Sequence, residues 1–137
     1  MNQANMSEAL IKALIKQGIN PPEACTLSFQ KQFKGSTGIE WFAQGADYEA
    51  IFYKDDLEYI ALFNKNGHLM EYRRIVPQGF LPHAIRQLIA EKGEIMNRVL
   101  LNRGNEILYE VIYRDKGNER YMMLLSDLGH VMEHKKL

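Results

Sequence analysis

Four histidines, one cysteine and several repeat-spaced carboxylates are the side chains in this chain with the greatest chemical potential. His130 and His134 stand four residues apart, a spacing that chelates a metal ion on a helix. The segment after Gly129 reads as a strand, where four residues span about 13 Å. Two ligands of one zinc ion, each bonded at about 2 Å, cannot be that far apart. His83 opens a helix with no ligand partner at a suitable spacing, and His68 matches His130 in a repeat described below, so both read as structural. Cys25 shares a helical stripe with Phe29 and Phe33, where a buried thiol has a raised pKa and is inert rather than nucleophilic. Glu49, Glu71, Glu110 and Glu133 would need to converge to about 5–10 Å for paired acid–base chemistry. Cross-strand ion pairs with Arg73, Arg74, Arg114 or Arg120 are the simpler expectation. Asp47 and Asp55-Asp56 fall at turns, where aspartate stabilises tight backbone geometry. Glycine-rich nucleotide loops are absent. The residues therefore predict no catalytic centre, no metal and no cofactor.

Binding is the remaining chemistry. Trp41, Phe42 and Tyr53 are the aromatic side chains best suited to anchor a partner on a sheet, because buried aromatics dominate protein interfaces. Core packing is the competing role for Trp41. The basic pairs Arg73-Arg74 and Lys135-Lys136 are balanced by nearby acids and read as solvated strand ends, or as one rim of a protein-binding face.

Composition narrows the partner class. The chain has 137 residues, 46% hydrophobic and 25% charged, the balance of one ordinary globular domain over 1–137. Lys plus Arg equals Asp plus Glu at 17 each, so global charge gives no attraction to nucleic acid or an anionic membrane. Near-neutral charge does favour self-association, which makes a homodimer a possible partner state. The apolar stretch at residues 9–16 is broken by Lys12 and Lys16 and has no basic segment before it, so it predicts neither a membrane span nor a secretory leader. On that ground the default location is cytoplasmic, unless the chain is a trimmed mature form. A single cysteine excludes an internal disulfide.

The elements that must position these groups follow from periodicity. Leu10, Ile11, Leu14 and Ile15 predict a helix over residues 6–17, ended by Gly18. Pro21-Pro22 starts a second helix, carrying Cys25, Phe29 and Phe33 and ending near Gly35. Strands follow at about 39–43, 47–54, 57–64 and 68–76, with Asn66-Gly67 as a strong hairpin signal. Pro82 opens a third helix with Ile85, Leu88 and Ile89 inward and Gly93 at its end. Four further strands are predicted at about 96–102, 106–115, 119–126 and 130–136.

This order is itself a repeat. Gly67-His68-Leu69-Met70-Glu71 returns as Gly129-His130-Val131-Met132-Glu133, a shift of 129 − 67 = 62 residues. Tyr48-Glu49-Ala50-Ile51 matches Tyr109-Glu110-Val111-Ile112 at a shift of 61, and Pro22-Glu23-Ala24 matches Pro82-His83-Ala84 at 60. Collinear matches of near-constant offset predict one supersecondary unit used twice, over about 22–76 and 82–136. Strand parity agrees: Tyr48, Ala50 and Phe52 share a face, as do Tyr109, Val111 and Tyr113, while Tyr59, Ala61 and Phe63 correspond to Tyr121, Met123 and Leu125. These should face the helices. The opposite face carries Ile51, Tyr53, Ile60, Leu62, Leu108, Ile112, Met122 and Leu124 among Glu49, Glu110 and Arg120, so a second cover is expected there.

The same residues resemble the PepSY-like, or BLIP-like, family of tandem-repeat α+β domains, whose fold is grouped with that of the beta-lactamase inhibitor protein. Ile39-Glu40-Trp41, Tyr48-Glu49-Ala50-Ile51-Phe52, the hairpin Phe63-Asn64-Lys65-Asn66-Gly67-His68-Leu69, Leu81-Pro82-His83-Ala84-Ile85 and Leu125-Ser126-Asp127-Leu128-Gly129-His130-Val131 carry the likeness, which spans about residues 21–137. The resemblance implies a two-layer α+β fold with antiparallel sheet and helices on one side. It further implies binding or inhibition of another protein, no catalytic residue to carry over, and export to the bacterial periplasm. The chain departs from the pattern in its added helix at 6–17, in Lys34-Gly35 where a Phe/Tyr-Pro turn is common, and in the missing export signal. A second architecture of similar length, the cone-shaped barrel of the nuclear-transport-factor-like (NTF2-like) superfamily, would make the chain an enzyme or ligand carrier instead. It predicts a deep pocket with polar groups such as Asp47, Glu49, His68 or Tyr72.

Overall fold

The computed structural model describes residues 18–77 and 79–137, so the helix expected over 6–17 lies outside the described residues. The fold is α+β: the described residues form two helices, α1 (Glu23–Gln32) and α2 (His83–Ala90), and eight strands. The strands are β1 (Thr37–Gln44), β2 (Asp47–Lys54), β3 (Leu57–Phe63), β4 (Leu69–Ile75), β5 (Glu94–Arg103), β6 (Glu106–Arg114), β7 (Arg120–Ser126) and β8 (Val131–Lys136). Strand order follows chain order from β1 to β8, in an antiparallel sheet. No described helix is long and apolar enough to cross a membrane. The chain groups into two compact units, the first ending at Met70 and the second running from Glu71 to Leu137.

In the first unit, Pro22 caps α1 with its fixed φ of −54°, and its carbonyl accepts the Cys25 N–H at 3.0 Å. Glu23 in the first turn and Lys31 in the last complement the helix dipole. Cys25 and Phe29 are buried, and Phe33 joins them just past the helix end. The Phe29 ring lies 4.8 Å from Phe52, 5.8 Å from Trp41 and 6.4 Å from Phe63, while Phe33 lies 4.8 Å from Phe52. Ala50 and Ala61, paired across β2 and β3, are small enough to leave room for this aromatic cluster.

In the second unit, Pro82 caps α2 in the same way, its carbonyl accepting the Ile85 N–H at 3.0 Å. Ile85 and Ile89 pack with Val76, Leu81, Leu100, Val111, Tyr113, Met123 and Leu125 in a mainly aliphatic core. The alternate residues expected to face the helices do so in both units.

The turns before β4 and β8 are built alike. Asn64 N–H donates to the His68 carbonyl at 3.0 Å, and Ser126 N–H to the His130 carbonyl at 2.9 Å. Gly67 N–H returns to the Asn64 carbonyl at 3.0 Å, and Gly129 N–H to that of Ser126 at 3.0 Å. Both glycines have positive φ, +83° and +86°. The Asn64 side-chain oxygen accepts the His68 N–H at 3.1 Å, and the Ser126 hydroxyl accepts the His130 N–H at the same distance. Asp55 and Asp56, with φ of 51° and 64°, both take the left-handed conformation that a tight β2–β3 turn demands.

Burial of the apolar residues turned away from the helices is uneven, and nothing among the described residues is identified as the second cover expected there. Ile51 is 2% exposed, Leu108 3% and Met122 8%, whereas Tyr53 remains 41% exposed.

Candidate binding site

The three aromatic anchors expected from the sequence do not share one surface. Trp41 and Phe42 are consecutive on β1 and therefore point to opposite faces. Trp41 pairs with Ala50 on the helix side, half-buried against Phe29 and Phe63. Phe42 pairs with Glu49 on the other side and is buried. Tyr53 lies on the same side as Phe42, with its hydroxyl 3.2 Å from the Glu58 carboxylate, and keeps an accessible ring.

Three carboxylates form cross-strand ion pairs. Glu110 on β6 meets Arg73 on β4 at 2.7 Å, so the pair bridges over β5 on the helix-free face. Glu94 meets Arg114 at 3.1 Å. Glu71 pairs across the strands with Arg103 at 3.9 Å rather than with Arg74 or Arg120, because register decides which base lies within reach, and Glu133 meets Lys135 on its own strand at 3.7 Å.

Cys25 is fully buried, and its Sγ–H donates to the Asn64 carbonyl at 3.2 Å. Burial pushes the thiol above its ordinary value, against a smaller downward pull from the Gly67 backbone N–H. His134 and His130 enter different surroundings: His134 Nε2 lies 2.7 Å from the Tyr113 hydroxyl, while His130 belongs to the turn. Among the described residues no three His, Cys, Asp or Glu side chains gather as a metal site.

Two surfaces escaped the sequence reading. Among the described residues strand β8 is an edge of the sheet, bonded only to β7, and all six of its residues are exposed. Val131 is 47% exposed, Met132 58% and Leu128, in the turn before them, 71%. Its position as the last strand of a meander was the signal for an open edge. The other is a cleft of about 470 Å³ in the second unit, which includes Leu81, Arg86, Ala90, Glu94, Ile95 and Arg98 in its lining. None of Asp47, Glu49, His68 or Tyr72, the polar groups named for a barrel enzyme, lines it.

Comparison with solved structures identifies the architecture. A BLIP-like protein from Bacteroides fragilis superposes with a TM-score of 0.76 at 20% identity, over 87% of this chain and 88% of that one. The fold is BLIP-like. A DUF2874 family protein from Bacteroides uniformis matches with a TM-score of 0.77 at 14% identity, over 85% and 90%. A candidate periplasmic protein from Bacteroides eggerthii matches with a TM-score of 0.78 at 15% identity, over 86% and 90%. No protein-family model and no curated protein matches the sequence. The family resemblance read from the sequence thus holds as a BLIP-like fold. The cytoplasmic default does not hold against this comparison, in which the Bacteroides eggerthii neighbour is described as periplasmic.

Proposed function

We propose that this BLIP-like chain is a non-catalytic, protein-binding or inhibitor-like module acting outside the cytoplasm. The observation that carries this reading is the open β8 edge. An edge strand keeps a row of backbone N–H and C=O groups without ladder partners, and a strand from another chain can pair with them. Natural edges are commonly blunted by charge, and Glu133, Lys135 and Lys136 do this over the second half of β8. The first half instead presents Leu128, Val131 and Met132 to solvent. On the first unit, Tyr53 supplies an aromatic contact, with Phe42 buried on the same face of the neighbouring strand and Trp41 packed on the opposite one. Affinity capture from a periplasmic fraction, followed by titration of the purified captured protein, tests the reading. Saturable binding weakened by Val131→Lys with Met132→Lys supports it, and binding indifferent to that change refutes the assignment of the edge. Light scattering on the free chain distinguishes a second copy as the partner.

Segments 22–76 and 82–136 also read as descendants of one doubled element, akin to PepSY-like tandem repeats. The matched proline caps and the matched turns at Gly67 and Gly129 support that origin.

A further inference from the structure

We propose that the cleft beside α2 is a binding site for a small organic anion, a carboxylate carried on an apolar body. Its volume of about 470 Å³ falls within the range of small-molecule sites. Leu81, Ala90 and Ile95 provide an apolar surface, and Arg86 and Arg98 provide positive charge. Glu94 shares the lining, but its carboxylate is taken by Arg114 at 3.1 Å. Neither Arg86 nor Arg98 forms an ion pair with a described residue.

Arg98 carries the argument. Its Nε–H is buried and has no acceptor among the described residues. A buried donor of a charged group normally finds a partner, and one left without it lowers stability unless something else supplies the acceptor. The guanidinium fork matches a carboxylate in geometry as well as charge. The backbone prepares this placement: β5 shifts register between Ile95 and Asn97, and a bulge of that kind re-aims the side chains that follow it. Gly93 keeps the cleft's lower wall close-packed, because a Cβ there would overlap the Arg114 carbonyl.

The test is an NMR titration of the whole chain with three probes: benzoate, benzyl alcohol and inorganic phosphate. Benzoate should shift the Ala90, Ile95 and Arg98 amide resonances saturably at millimolar concentration. Benzyl alcohol lacks the charge and phosphate lacks the apolar body, so each should bind about tenfold more weakly or not at all. Arg86→Gln, at an exposed position, and Arg98→Lys, which keeps the charge but not the fork, should each weaken benzoate by about tenfold with an unchanged far-UV spectrum. Absence of saturable shifts at these amides, equal binding of benzyl alcohol or phosphate, or undiminished affinity in both variants would each overturn the assignment.

Discussion

Gly67 is packed directly on the Ala24 backbone, so that a Cβ at this glycine would overlap the Ala24 carbonyl. The turn before β4 is thereby held against the first turn of α1, and the contact needs glycine for two reasons: the space is absent, and φ is +83°. Its counterpart Gly129 also has positive φ, but an added Cβ there would stand 3.2 Å from the Ala84 side chain, a contact that a small shift relieves. Gly67→Ala should therefore destabilise by about 3 kcal/mol, and Gly129→Ala by about 1–2 kcal/mol, the cost of a left-handed non-glycine residue. Urea unfolding of the two variants checks the ranking; equal losses would contradict it.

Phe29 touches Phe33, Trp41, Phe52 and Phe63 and is 2% exposed. Truncating it leaves a cavity that four rings cannot close together. Phe29→Ala should cost about 3–5 kcal/mol, measured by the urea midpoint, whereas Leu27→Ala on the exposed side of the same helix should cost under about 1 kcal/mol.

Stability should fall in alkali. Burial raises the Cys25 thiol above its ordinary 9.0. Burial, then the charges of Tyr121 and Asp115, raise the Tyr113 phenol above 10.0. Both groups are neutral when protonated, and the unfolded chain releases these protons first, so it binds fewer than the folded chain in that window. Their contribution is whole below the unfolded values and is lost as pH climbs through the raised folded ones. Cys25→Ala should remove the part of the decline that begins near 9.0, and Tyr113→Phe the part that begins near 10.0. Denaturation curves from neutral to alkaline pH with identical slopes in all three proteins would refute this.

The repeating chemistry of strands and turns was open to reading in the sequence because it is local. Strand β2 was expected at 47–54 and runs Asp47–Lys54, since alternation and flanking turn residues mark both ends. Strand β5 begins at Glu94 rather than 96, because pairing of Glu94 with Arg114 and Ile95 with Tyr113 extends it past a bulge that breaks the alternation. Ion-pair partners were half legible: Arg73 was foreseen, while Arg103 and Lys135 depend on register and side-chain reach. The cleft was not legible at all, for it exists only once α2, the segment before it and the start of β5 are brought together.

The protein-binding role rests on the exposed end of β8. Its most direct test is a titration of the purified captured protein against the wild-type chain and the Val131→Lys/Met132→Lys variant. The account predicts saturable wild-type binding and a loss of at least about tenfold in affinity for a variant that remains folded, as expected when central contacts of an interface are removed. Equal affinity of the two chains would contradict it.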